Sequence, residues 1–299
     1  MKILIIKFGA AGDVIRVTTL LHLFPNASID WVVSDNNSIL LGGLPNINRV
    51  ILLSKIYETQ LNEYDLVINL EDNLEAGNII KKIKYRDLFG SYIDNNEKLT
   101  YTENSKGWFD LSLISKYGLK EANQLKFQNK RSFQEIVFEG LGKKFNGEQY
   151  LLPESPYSKL YGDVAIAPKA GKVWPMKNWA YFDELAQYIR AKGFIVNFLP
   201  DRPTMLDHLA DVKNHSVLIS GDSLPMHFAL GSKITTISLF ICTSPAEIYD
   251  YYSMKKIISP DIEKYWYRRD FDENAITSIS LEEVIDSFNL ITKRQVANA

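Results

Sequence analysis

Short apolar runs alternate with segments of helical period along most of this chain, and that alternation limits the fold more than any other feature. Ile3–Ile6 reads as a buried strand, and Asp13–Phe24 as a helix turning Val14, Val17, Leu20, Leu21 and Phe24 inward. Ile29–Val33, Arg49–Leu53 and Leu66–Leu70 are further strands, and Leu74–Ile83 and Ser132–Leu141 are helices. Strands separated by helices predict a parallel sheet covered on both faces. No repeat of 20–50 residues interrupts the series.

The pattern lapses at "FNGEQYLLPESPYSKLYGD", Phe145–Asp163, where two prolines and several polar residues suggest a domain boundary. A second series then begins. Strands are expected at Val164–Ala167, Phe194–Leu199, Val217–Ser220 and Thr235–Phe240. Helices are expected at Trp179–Lys192, Met205–Val212, Pro225–Leu230 and Leu281–Ile291, followed by a polar tail. The predicted fold class is α/β, with two Rossmann-like doubly wound domains, 1–152 and 153–299, facing each other across a cleft. The last helix is a candidate to pack back on the N-terminal domain. Ligands belong outside the carboxyl ends of the strands.

Composition excludes several classes. At 299 residues the chain can build two cores, and 46% hydrophobic content is that of a folded protein. A net charge of −2 gives no global basic signal for nucleic acid. The single cysteine, Cys242, forbids an internal disulfide and fits a reducing compartment. Ile3–Ile6 ends at Lys7, too short for a leader core, and no apolar run approaches 18 residues. A cytoplasmic protein is expected, and peripheral attachment at the cytoplasmic face of a membrane is compatible with it.

Three segments could carry chemistry. In the turn Gly9-Ala10-Ala11-Gly12, small residues let a ligand approach the backbone ahead of a helix N-terminus. Asp13 follows at once, where an acid would repel phosphate. An acid favoured in a first helical turn explains it equally well. The turn is not G-x-G-x-x-G, so the dinucleotide fingerprint is absent. In "APKAGKVWPMKNW", Ala167–Trp179, Lys169 and Lys172 stand on a glycine-containing loop after a strand, an arrangement suited to pyrophosphate. The bland alternative is a solvated basic loop with Trp174 and Trp179 as packing anchors. In "ISGDSLPMHFALG", Ile219–Gly231, Asp222 and Ser223 are capping types and His227 falls one turn further on. Spacing alone does not separate a site there from a capped helix with a core histidine.

Other chemistries find no support. Ser223 lies in G-D-S-L-P rather than a nucleophile elbow, no phosphate-binding P-loop occurs, and four scattered histidines with one cysteine give no metal-ligand spacing. The basic cluster Lys81, Lys82, Lys84 and Arg86 reads most simply as a solvated helix end.

Taken in order, five stretches resemble glycosyltransferase family 9, the heptosyltransferases of lipopolysaccharide assembly. They are "KILIIKFGAAGDVIRVTTLL", "GLPNINRVILL", "YDLVINLEDN", "GKVWPMKNWAYFDELAQYIRAKGFIVNFLP" and "LISGDSLPMHFALGSKITTISLFICTSP". The resemblance covers most of residues 1–250. It implies a GT-B arrangement with an N-terminal acceptor-binding domain and a C-terminal nucleotide-sugar-binding domain. It also implies an inverting, metal-independent transfer with no cofactor, from an ADP-heptose-like donor to a saccharide or lipid-linked glycan such as lipopolysaccharide core. The family's G-D-V element places its general base at Asp13, with Gly12 and Lys7 beside it. The lysine of its K-x-W-P element falls on Lys172, as a diphosphate contact. Its D-[ST]-G-x-x-H element falls on Asp222, Ser223 and His227, lining the nucleotide-sugar site. Lys81 and Lys82 would then sit on the acceptor side, suited to a phosphorylated or lipid-linked acceptor.

The sequence departs from the family pattern at several positions. Ala167, Pro168 and Ala170 stand where hydroxyl residues are frequent, Leu224 replaces the glycine of D-[ST]-G, and Thr19 replaces a proline. Asn69-Leu70-Glu71-Asp72 replaces Asp-x-Gln-Gly. These departures keep two alternatives open: a non-catalytic nucleotide- or sugar-binding homologue, and another GT-B-like nucleotide-sugar enzyme such as an epimerase.

Overall fold

In a computed structural model, which describes residues 1–297, the chain divides into two compact units, one ending at Glu154 and the other beginning at Ser155. The N-terminal unit contains β1 (Lys2–Ile6), α1 (Ala11–Val17), β2 (Ser28–Val33), β3 (Ile47–Leu52), β4 (Glu63–Asn69), α2 (Leu74–Ile80), β5 (Lys84–Ile93), β6 (Leu99–Tyr101), α3 (Lys106–Phe109), α4 (Leu119–Gln128) and α5 (Phe133–Gly140). Among the described residues its sheet has the order β3-β2-β1-β4-β5-β6. β1 to β5 run parallel, and β6 closes the edge antiparallel to β5. Ile3 to Ile6 are fully buried, as a central parallel strand covered on both faces requires.

The helix expected over Asp13–Phe24 is α-helical only to Val17 and continues as a 3₁₀ run over Thr18–Leu23. Thr18 donates its hydroxyl to the Ile15 carbonyl at 2.6 Å and Thr19 to that of Arg16 at 2.9 Å, bonds that compete with the regular ladder. The helix expected at Ser132–Leu141 begins as its sequence dictates. Ser132 caps Glu135 N–H, and the Glu135 side chain returns to the Ser132 N–H.

The sequence reading missed β5 because its first four residues, Lys84 to Asp87, are exposed and carry no apolar pattern. This corrects the reading of the basic cluster as one helix end. Lys84 and Arg86 lie on a strand, while Lys81 and Lys82 follow α2.

The C-terminal unit contains β7 (Gly162–Ala167), α6 (Phe182–Ala191), β8 (Val196–Phe198), α7 (Met205–Lys213), β9 (His215–Gly221), α8 (Leu224–Gly231), β10 (Thr235–Phe240), β11 (Met254–Ile258), α9 (Glu273–Ile276) and α10 (Leu281–Ala297). Among the described residues its sheet is parallel, in the order β11-β10-β9-β7-β8. β11 was not anticipated; Lys255 and Lys256 interrupt its short apolar pattern, as suits an edge strand. α10 buries Val284 and Phe288 in the core of its own unit, with Ile166, Leu185 and Leu239.

Both sheets reverse their strand order beside their first strand. In the N-terminal unit the chain passes from β1 outward to β3 and returns to β4 on the other side of β1. In the C-terminal unit it passes from β7 to β8 and returns to β9 on the other side of β7. The carboxyl ends of β1 and β4, and of β7 and β9, are therefore the topological switch points where parallel sheets open a crevice.

Candidate functional site

The N-terminal switch point gathers three charged side chains. Lys7 leaves the end of β1, Asp13 sits in the first turn of α1, and Glu71 follows β4 by two residues. Lys7 Nζ lies 3.2 Å from Glu71 Oε1 and 3.6 Å from Asp13 Oδ2, while Asp13 Oδ1 takes a 2.7 Å bond from Arg16 Nη2. Glu71 and Arg16 are buried, whereas the Asp13 side chain keeps 35% of its exposure. Asp13 is thus the member of the cluster that a ligand can reach. Burial works against the charge on Lys7, but Asp13 and Glu71 together outweigh it and hold the ammonium pKa above its ordinary value. Arg16 is fixed from the other side by the ring of Phe133, 4.4 Å from the guanidinium carbon, and by Trp108 at 5.5 Å.

The glycine turn is shaped by Glu71 rather than by a phosphate. Glu71 Oε1 accepts the Phe8 N–H at 2.7 Å and the Gly9 N–H at 2.8 Å. A Cβ on Gly9 would stand 3.3 Å from that oxygen, so the bare backbone permits the approach. Asn37 completes the turn by donating to the Phe8 and Gly9 carbonyls. Below Glu71, Ser91 donates its hydroxyl to the Glu71 carbonyl at 2.6 Å and accepts a bond from Asn69, whose own amide oxygen takes the Glu71 N–H.

The C-terminal switch point carries a second polar cluster. Asp222, just past β9, receives Lys177 Nζ at 2.7 Å on Oδ2 and at 2.9 Å on its backbone carbonyl. Thr243 donates its hydroxyl to the same Oδ2 at 2.8 Å. Burial alone would raise the Asp222 pKa; Lys177 above all, with His227 and Thr243, reverses this and holds the carboxyl below the usual carboxylate range. Tyr267 donates to Glu247 at 3.0 Å, and burial drives its phenol far above the ordinary value. Cys242 is pushed up to about 11, mainly by burial, which leaves it an inert thiol. A cavity of about 160 Å³ opens beside this cluster, lined by the loops after β7, β8 and β9, including Pro168, Lys169, Asp201, Ser223 and Leu224.

The expected site residues divide accordingly. Lys7 and Asp13 meet, with Gly12 next to Asp13 in α1. Asp222, Ser223 and His227 share the start of α8, where Ser223 is the N-cap residue. Leu224 takes ordinary helical backbone rather than a positive φ, so the missing glycine imposes no strain there. Lys172 stands exposed on the loop after β7, and the lysine bonded to Asp222 is Lys177, five residues further on.

Lys81 and Lys82 do not join Lys7 and Asp13. β4 and β5 pair from Glu63↔Lys84 to Asn69↔Gly90, so these lysines lie by the amino-terminal ends of the strands, about 20 Å from the carboxyl ends at 3.3 Å per residue. There Lys81 pairs with Glu97 at 2.5 Å, and Lys82 lies 4.1 Å from the centre of the Tyr57 ring. Glu71 and Lys177 were missed as site residues. Both lay in stretches that carry the family resemblance, Glu71 in the departure Asn69-Leu70-Glu71-Asp72 and Lys177 in "GKVWPMKNW".

Among the described residues, no group of three or more His, Cys, Asp or Glu side chains could hold a metal ion, and no helix is long and apolar enough to cross a membrane. No protein-family profile matches the sequence, and no curated protein matches it either. Solved structures do. A family 9 glycosyl transferase from Veillonella parvula DSM 2008 superposes with a TM-score of 0.66 at 18% identity, covering 95% of each chain. The E. coli ADP-heptose lipopolysaccharide heptosyltransferase II gives 0.61 at 15% identity over 99% of each chain. The E. coli heptosyltransferase WaaC with ADP gives 0.61 at 14% identity, covering 97% of this chain and 99% of that one. This likeness shows the fold: the chain has the two Rossmann-like units of the GT-B glycosyltransferases.

Proposed function

We propose that this protein is an inverting glycosyltransferase. It moves a sugar, heptose favoured, from an ADP-heptose-like nucleotide-diphospho-sugar to a saccharide or lipid-linked glycan such as lipopolysaccharide core. The observation that carries this reading is Asp13, a reachable carboxylate at the switch point of a fold shared with heptosyltransferases. A carboxylate there suits proton removal better than phosphate binding.

On this reading the acceptor is held by the N-terminal unit. Asp13 takes the proton of its hydroxyl as that oxygen attacks the anomeric carbon. The bond from that carbon to the diphosphate breaks on the opposite face, inverting the configuration, and Asp13 later returns its proton to solvent. Lys7, kept charged by its two carboxylates, favours the ionised form of Asp13 that begins the cycle.

The C-terminal unit receives the donor beside the Asp222 cluster. Lys172 and the N–H groups opening α8 offset the charge developing on the diphosphate. These groups serve in place of a metal, so transfer is expected to persist in chelator. Work would take place at the cytoplasmic face of the membrane, where a lipid-linked acceptor is presented.

The test is a transfer assay with ADP-heptose and other nucleotide-sugars, run on the protein and on Asp13→Asn. Transfer should vanish in the variant while ADP affinity, measured by calorimetry, stays nearly unchanged. Full activity in Asp13→Asn would refute the assignment of the base. Nucleotide binding with no transfer by the unaltered protein would favour a non-catalytic binding role.

A further inference from the structure

We propose that Glu71 is a positioning residue that tunes the basicity of Asp13 by holding Lys7 between two carboxylates. The proposal rests on the reading of Asp13 as the general base and deepens it.

The argument begins with what the loop requires. The Phe8 and Gly9 N–H groups both bond to one oxygen, Glu71 Oε1. A glutamine amide oxygen could accept both, so shaping the turn needs an oxygen and not a charge. Yet the residue is an acid, and it is buried, where ionisation is costly without a partner. Its partner is Lys7, 3.2 Å away, whose ammonium also stands 3.6 Å from Asp13. One cation thus serves two carboxylates. Its attraction for Asp13 is partly offset by the negative charge of Glu71 across it.

The consequence for Asp13 follows from Coulomb's law at short range in a partly buried setting. Lys7 from the end of β1 and Arg16 from its own helix favour the ionised form, and a carboxylate bound this way is a weak base. Glu71, reaching in from the loop after β4, opposes them and keeps the proton affinity of Asp13 higher. Asp35, on the 3₁₀ segment Asp35–Leu41 that packs against α1, accepts a bond from Ser54, and α3 and α5 present the rings of Trp108 and Phe133 to Arg16. Bonds with Ser91 and Asn69 fix the Glu71 main chain, and the Phe8 and Gly9 N–H groups hold its carboxylate beside Lys7.

Carboxyl ¹³C NMR tests this without any substrate, with the Asp13 resonance identified by its loss in Asp13→Asn. Glu71→Gln keeps the acceptor for the two N–H groups and removes only the charge. The Asp13 titration midpoint should fall by roughly half a pH unit or more relative to the unaltered protein. Lys7→Gln should move it the opposite way, which keeps the idea testable if Glu71→Gln does not fold. A midpoint unmoved in folded Glu71→Gln, or one that does not rise in Lys7→Gln, overturns the proposal. Because the midpoint is read in the absence of sugar transfer, that outcome is separate from failure of the transferase reading, which the transfer assay decides. If transfer is observed, the acid limb of its kcat/KM profile should shift with the NMR midpoint. A lower rate with an unshifted limb would make Glu71 merely structural.

Discussion

Lys177 reaches across 45 residues of sequence to Asp222, its ammonium 2.7 Å from the carboxylate and 2.9 Å from the carbonyl of the same residue. Both side chains are largely shielded from water, at 8% and 15% exposure. Removing the cation leaves a buried charge unpaired, which is where ion pairs matter most. Lys177→Met is expected to lower stability by about 3 kcal/mol, read as a reduced urea midpoint. A loss below about 0.5 kcal/mol, the range of ordinary surface substitutions, would show the pair to be incidental.

The same pair predicts a pH dependence. The carboxyl of Asp222 titrates lower in the folded protein than in the unfolded chain, so the unfolded state binds the proton more readily. Its contribution is therefore complete above the ordinary carboxylate pKa of about 4 and is lost as the pH falls through the lower folded value. Urea unfolding followed from about pH 6 to about pH 3 should show a steeper loss in the unaltered protein than in Asp222→Asn. Parallel curves would place the acid sensitivity elsewhere.

Lys172 allows a cleaner separation of binding from stability, because it is exposed. Lys172→Ala should leave the unfolding midpoint within about 0.5 kcal/mol of the original. As a diphosphate contact it should weaken ADP binding by about tenfold, with little effect on AMP, a charge-assisted bond being worth about 1.5 kcal/mol or more. Calorimetry with the two nucleotides distinguishes these effects, and equal losses for both would remove Lys172 from the diphosphate.

Lys81 and Lys82 provide a spatial control. They lie by the amino-terminal ends of the N-terminal sheet's strands, opposite the carboxyl ends where Asp13 sits, engaged by Glu97 and Tyr57. Lys81→Glu combined with Lys82→Glu is expected to leave KM for a water-soluble acceptor fragment within about twofold, since exposed pairs contribute little. A selective rise in acceptor KM would return the cluster to the acceptor side.

Gly90 is a structural prediction beneath the site. Its φ is +119°, and a Cβ there would fall 1.8 Å from the Asn69 carbonyl oxygen. Gly90→Ala must therefore push β4 and β5 apart where Asn69 and Ser91 brace Glu71. A loss of about 4 kcal/mol or failure to fold is expected, measured by thermal unfolding. A variant of unchanged stability would mean that the strands separate there at no cost.

The sequence by itself determined the α/β class and most central strands, because strands such as Ile3–Ile6 that are buried on both faces must be apolar throughout. It also contained the order of the motifs that resemble the family, including Lys7 and Asp13 only six residues apart. It could not disclose β5, whose exposed start hides the strand behind charges, or the early change from α to 3₁₀ winding imposed by Thr18 and Thr19.

Only the tertiary structure decided which distant residues share each cluster. Glu71 meets Lys7 because the chain crosses β1 and returns on its other side, and Lys177 meets Asp222 because the loops after β7 and β9 converge at the second such crossing. Local propensity acts over a few residues. The pairing of these charges depends on strand order, which is set by long-range packing and has no local signature in the chain.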